Sequence, residues 1–135
     1  MVLSTNPYAL VVDDDAIIRI DAAQILQDAG FRTYEAGDGD EAKLVLEEFG
    51  ANVILLFSDV EMPGSTDGFA LARYAAEKWP ELEIVVASGR RKPEAGEMPD
   101  CATFISKPFD DHVVHSHLRK KLPDGKKPEP LKRAV

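Results

Sequence analysis

The sequence predicts one α/β domain on a five-stranded parallel sheet with helices on both faces. Three observations carry this expectation. Residues 53–58 and 84–87 are short, almost wholly apolar runs, the pattern of strands buried on both faces. Such runs alternate along the chain with segments of helical spacing. A length of 135 residues, 44% hydrophobic and 30% charged, suits a single folded core.

Taken in order, residues 8–12 form a short apolar run ended by Asp13-Asp14-Asp15, which reads as a buried strand. From Asp15 to Ala29 the apolar positions Ile18, Ala22, Ile25, Leu26 and Ala29 have helical spacing, and Gly30 supplies the stop. Asp15 is the natural cap or first-turn acid of that helix. Residues 31–36 make a weaker strand. Asp38 can cap a second helix carrying Ala42, Val45, Leu46 and Phe49, ended by Gly50. The strand at 53–58 runs into Asp59, and a loop of residues 61–68 leads to a helix at 69–78, ended by Pro80. Residues 84–87 form the fourth strand, ending at Ser88-Gly89. Residues 103–106 form the fifth, ending at Lys107-Pro108. Between Ser88 and Lys107, Pro93, Gly96 and Pro99 argue for a loop or at most a turn or two of helix. A last helix starts at Asp110 or Asp111 and runs to about Leu122. The domain is therefore 1–122, and the Pro- and Lys-rich tail 123–135 is expected to be flexible.

The charge has a pattern. Sixteen Lys and Arg face 24 Asp and Glu, a net charge of −8. Residues 1–118 hold 9 basic and 22 acidic side chains, whereas 119–135 hold 7 basic and 2 acidic. An acidic body disfavours a nucleic-acid partner, because that affinity comes from Lys and Arg displacing counterions, and it favours cations. One cysteine, Cys101, excludes an internal disulfide and a multi-cysteine zinc site. The longest apolar run, 53–57, is far below the ~20 residues of a membrane-spanning helix. Membrane insertion is not expected. With no basic segment before the first apolar run, the expected location is cytoplasmic.

In an open parallel sheet, ligands bind beyond the carboxyl ends of the strands. Every chemically conspicuous residue falls at such an end: Asp13 and Asp14 after the first strand, Asp59 after the third, Ser88 after the fourth, Lys107 after the fifth. Three converging carboxylates repel unless a cation or protons intervene. Hard oxygen ligands with room for water suit Mg²⁺, with Mn²⁺ as an alternative. With the Lys107 ammonium and the Ser88 hydroxyl they make a receptor for a phosphoryl group, Asp59 being the nucleophile or acceptor.

The segments Leu10-Val11-Val12-Asp13-Asp14-Asp15, Ser58-Asp59-Val60-Glu61-Met62-Pro63 with Asp67-Gly68, Val86-Ala87-Ser88-Gly89 and Phe104-Ile105-Ser106-Lys107-Pro108-Phe109 together resemble the receiver domain of two-component response regulators. The resemblance covers about Tyr8 to Leu122. It implies a doubly wound sheet of strand order 2-1-3-4-5. It also implies phosphorylation of Asp59 by a histidine kinase or a histidine phosphotransfer protein. By the same resemblance Asp14 binds Mg²⁺ directly, Asp13 through water, and the Glu61 backbone carbonyl adds a ligand. Ser88 and Phe104 take the switch positions, Lys107 pairs with the phosphoryl group, and Glu61 and Arg90 take positions that modulate phosphoryl lifetime. Their opposite charges could pair.

Three features depart from the pattern. The loop holding Gly64-Ser65-Thr66 is one residue longer than usual. The stretch before Lys107 is short, so the family's fourth helix is reduced or absent, and the dimer mode that uses it is in doubt; a monomer or weak dimer is expected. No output domain follows, so a stand-alone receiver is expected.

Two other functions fit parts of the pattern. An aspartate-nucleophile phosphatase of the haloacid-dehalogenase type would use Asp13-Asp14-Asp15, Ser88, Lys107 and Asp110-Asp111, but it leaves Asp59 without a role and the last acid pair without its own strand. A degenerate receiver would bind partners without phosphorylation; its signature, a lost acid or lysine, is absent. His112, His115 and His117 share the last helix, where a solvated face is the expectation over a metal site.

Overall fold

The computed structural model describes residues 7–90 and 92–132. Residues 1–6 of the expected domain, 133–135 of the expected tail, and Arg91 of the basic run 90–92 lie outside the described residues.

Five strands alternate with helices: β1 (Tyr8–Val12), α1 (Ala16–Asp28), β2 (Arg32–Ala36), α2 (Gly39–Phe49), β3 (Val53–Asp59), α3 (Gly68–Lys78), β4 (Glu83–Ser88), β5 (Ala102–Ser106), α4 (Asp111–Lys121) and the short α5 (Glu129–Lys132). All strand pairs are parallel, in the order β2-β1-β3-β4-β5. β3 is central, flanked by β1 and β4, and every residue of it but the partly buried Ile54 is buried.

Alternation along each strand divides the core between the two faces. Ala9, Val11, Leu55, Phe57, Val85, Ala87 and Ile105 pack against α1 and α4. Leu10, Val12, Leu56, Ile84 and Val86 pack against α2 and α3 through Leu46, Phe69, Leu71 and Ala75. The expected caps Asp15, Asp38 and Asp110 form, and Asp67, read in the sequence only as a loop residue, caps α3 in the same way, each accepting a backbone N–H from the first turn of its helix.

No helix separates β4 from β5 among the described residues; the connection is a run of turns. It still covers core. Met98 packs onto the face shared with α3, and the Arg73 guanidinium donates to the Glu97 carbonyl.

The tail expected to be flexible has residues 123–132 among those described. A 3-10 turn (Asp124–Lys126) and α5 carry residues 123–132 back along the base of the sheet, and Leu131 is 1% exposed, buried with Leu118 and Leu122. Lys126 Nζ donates to the Glu81 carbonyl. Gly30 explains the fit: it ends α1 with φ +106°, and a Cβ there would lie 2.6 Å from Pro128 and 2.8 Å from Pro130. The prolines thus shape the docked segment. Proline density signals poor helix, but one apolar anchor suffices to fix a short stretch, and Pro130 in the first turn of α5 lacks only an N–H that has no helical partner there.

Truncating this anchor tests the docking. Leu131→Ala should lower the unfolding free energy by about 2–3 kcal/mol in urea titrations, whereas a segment lying loose in solvent gives no change.

Candidate functional site

The turn after β1 is built by its own aspartates. Asp13 Oδ1 accepts the Asp15 N–H at 2.9 Å, and Asp15 Oδ1 accepts those of Ile17 and Ile18 at 2.9 and 3.2 Å. Asp13 turns into the protein and is buried; Asp14 is exposed. Arg19, not singled out in the sequence, holds the turn from outside: Nη1 donates to the Asp13 carbonyl at 2.9 Å and Nε pairs with Glu35 at 3.1 Å. Its only sequence signal is a basic residue one turn beyond the cap of α1.

Asp59 ends β3 and is 7% exposed. Gly68 sets how the chain leaves it. The Gly68 N–H donates to the Val60 carbonyl at 2.8 Å, and a Cβ at Gly68 would collide with the Asp59 carbonyl oxygen. Only glycine lets α3 begin so close to the strand end. The lengthened loop between them is tied to α2, since the hydroxyls of Thr66 and Ser65 donate to the Asp40 carboxylate at 3.0 and 3.2 Å.

Lys107 crosses the end of β4 to reach the acids. Its Nζ lies 2.8 Å from Asp59 Oδ1 and 3.0 Å from Asp13 Oδ2. Carboxylate oxygens of Asp13, Asp14 and Asp59 all lie within 4.8 Å of one another, a set able to hold a metal ion. The donors fit a hard divalent cation: all are oxygens, two are buried, and the third faces solvent. Together with Glu61, Arg90 and Lys107 they line a cavity of about 410 Å³.

The charges are unequal. Burial raises the Asp59 carboxyl above its ordinary value, with Asp13 and Glu61 pushing the same way and Lys107 opposing. For Lys107, burial lowers the ammonium, but its bonds to Asp59 and Asp13 outweigh burial and hold it above its ordinary value. One ammonium serves two buried carboxylates. It is therefore firmly protonated, while the acids are left short of positive charge.

Ser88, buried at the end of β4, donates to the Glu61 carboxylate, with Oγ 2.6 Å from Oε1 and 3.0 Å from Oε2. The Arg90 backbone N–H donates to the same Oγ at 3.2 Å. The Glu61 carboxylate thus meets Ser88, where the sequence suggested the Arg90 side chain. Phe104 is half-buried and lines a separate groove with His112, Val113 and His117 of α4. The structure therefore brings Asp13, Asp14, Asp59, Glu61, Ser88, Arg90 and Lys107 to one end of the sheet and leaves Phe104 outside that group.

Asp110 and Asp111, needed at the site by the phosphatase alternative, bond the backbone N–H groups of Val113 and His112 at the start of α4. The histidines are occupied separately. His115 Nε2 lies 2.7 Å from the Ile25 carbonyl, to which it donates, and His117 Nε2 is 2.7 Å from Thr103 Oγ1.

Residues 9–119 match the family described as the response regulator receiver domain, and the chain belongs to that family. It is 34% identical over 110 residues to the sensor kinase CckA of Brucella abortus, covering 79% of this chain and 12% of the kinase. It is 28% identical over 120 residues to the aerobic respiration control protein ArcA of Escherichia coli, covering 87% of this chain and 49% of ArcA. The chain thus spans half or less of these two relatives. The crystal structure of the Vibrio cholerae chemotaxis protein CheY4 superposes with a TM-score of 0.76 at 27% identity, covering 87% of this chain and 100% of CheY4. The protein is a two-component receiver domain related both to kinase receivers and to response regulators. No helix among the described residues is long and apolar enough to cross a membrane.

The raised Asp59 pKa carries a stability consequence. Folding lifts it above the unfolded value, so Asp59 costs no stability below the unfolded pKa of about 3.9 and costs progressively more as pH rises through the folded value. In metal-free buffer, Asp59→Asn should raise the unfolding temperature at pH 7, and the gain should shrink towards zero as pH falls below the carboxylate range. A thermal-melt series over pH reads both.

Proposed function

We propose that this receiver accepts a phosphoryl group on Asp59, in a Mg²⁺-dependent reaction, from the phosphohistidine of a histidine kinase or a histidine phosphotransfer protein. The observation that carries the reading is the buried Asp59 carboxylate at the end of the central strand, bonded to Lys107 with Asp13 and Asp14 beside it.

The chain's own residues account for the step. A carboxylate oxygen of Asp59 attacks phosphorus, a P–O bond forms, and the P–N bond to the donor imidazole breaks with its electron pair leaving on nitrogen. Lys107, protonated and already beside Asp59, offsets charge on the transferring oxygens. Ser88 supplies a hydroxyl donor to one of them. Asp13, Asp14, Asp59 and the Glu61 carbonyl would hold the Mg²⁺, which supplies the positive charge that one ammonium cannot. Phe104 and Arg90 follow as a switch aromatic and a lifetime modulator. Transfer to a carboxylate, without turnover of a separate substrate, makes this a signalling domain rather than an enzyme.

A protein donor suits the rim of the site. Ile18 lines the acid cavity, and its α1 neighbours Ile17 and Ile20 are 80% and 61% exposed, an apolar surface that a small phosphodonor would not need.

Incubation with a small acyl phosphate and Mg²⁺ should add one phosphoryl group by mass spectrometry, and Asp59→Asn should remove it. Undiminished labelling of that variant would falsify the assignment. Saturating Mg²⁺ should also raise the unfolding temperature by several degrees, because an ion bound only by the folded state stabilises it. Asp14→Ala should lose most of that rise.

A further inference from the structure

We infer that the Glu61 side chain is a positioning residue that holds the Ser88 hydroxyl away from Asp59, so that phosphorylation must first break the Ser88–Glu61 hydrogen bond. The inference rests on Asp59 being the phosphoryl acceptor.

The geometry is specific. A serine hydroxyl has one proton to donate. Here that proton is directed to a carboxylate at 2.6 Å, with the second oxygen at 3.0 Å, and the oxygen accepts the Arg90 N–H at 3.2 Å. A hydrogen bond to an ionised acceptor is roughly twice as strong as a neutral one. Ser88 is 3% exposed, which limits competition from water for the same proton. A phosphoryl oxygen on Asp59 would need that proton, and Ser88 cannot satisfy both anions. Glu61 lies two residues past Asp59, the last residue of β3, and Ser88 is the last residue of β4, one past Ala87, which pairs in register with Asp59. The contest therefore occurs next to the reacting carboxylate. Before phosphorylation the hydroxyl belongs to Glu61; afterwards it exchanges one anion for another, and Glu61 is released into the cavity that it lines.

Removing the carboxylate also removes a negative charge near Asp59, so the test must separate the two effects. Glu61→Gln loses the charge but keeps an acceptor oxygen for Ser88, whereas Glu61→Ala loses both. Labelling by a small acyl phosphate with Mg²⁺ should be about five- to tenfold faster in Glu61→Ala than in Glu61→Gln, the size expected for one hydrogen bond to a charged or polar acceptor. The difference should vanish when both substitutions are made in a Ser88→Ala background and persist in Ser88→Thr, which keeps the hydroxyl. Thermal melts establish that every variant is folded, and Ser88→Thr carries the comparison if Ser88→Ala does not fold. Equal rates in Glu61→Ala and Glu61→Gln, or a difference that survives in Ser88→Ala, would overturn the inference while leaving the acceptor assignment standing. No label on the unsubstituted protein would overturn the acceptor assignment and this inference together.

Discussion

One ammonium between two buried carboxylates organises this molecule. Lys107 must come within hydrogen-bond distance of both Asp59 and Asp13, although β5 is separated from β3 by β4 and from β1 by β4 and β3. Strands lie about 4.8 Å apart, so the lysine has to span more than one strand. It can do so because β4 ends in small residues, Ala87-Ser88-Gly89, and because Lys107 lies just past its strand. Gly89 lies beneath the crossing side chain, where an added Cβ would be 3.4 Å from that of Lys107. Small residues at one strand end and a long cation at the next are two parts of one solution. Removing the lysine leaves both buried carboxylates without compensation, which typically costs about 3–5 kcal/mol.

The same arrangement explains why the site is incomplete as protein alone. Satisfying Asp59 fully would take more positive charge than the chain supplies, since Asp13 shares the ammonium and Glu61 adds a further negative charge. A site meant only to stabilise the fold would end in a neutral network. This one retains a deficit of cation beside a cavity open to solvent through Asp14. That deficit links the fold to the proposed chemistry: the groups that destabilise the apo domain are those that would bind the metal and the phosphoryl group.

Much of this was legible in the sequence, for a reason particular to parallel sheets. Strands buried on both faces announce themselves by continuous apolar runs, and functional residues gather at their carboxyl ends. Asp13, Asp59, Ser88 and Lys107 could therefore be assigned to one place without knowing the strand order. The prolines and glycine in the short interval before Lys107 likewise argued against a full helix there. What could not be read depended on approaches between distant surfaces. Nothing local says that Glu61 turns to Ser88 rather than to the Arg90 side chain, or that Arg19 grips the Asp13 carbonyl. Leu131 was hidden for another reason. Its neighbourhood is rich in proline and lysine, and the single apolar side chain that anchors it carries no periodicity.

The position of Lys107 in the chain has a consequence for how the domain comes into being. Ribosomal synthesis proceeds from the N-terminus, so β1, β3 and β4 can align while the cation that reconciles their acids has yet to be made. Until about four-fifths of the sequence exists, Asp13 and Asp59 face each other across adjacent strands with no ammonium between them. During that interval the two acids repel one another at the end where the site will form, and β5 brings the charge that offsets them. Any divalent ion present during that interval can serve as a provisional counter-charge at the acid cluster that is able to hold a metal in the finished domain.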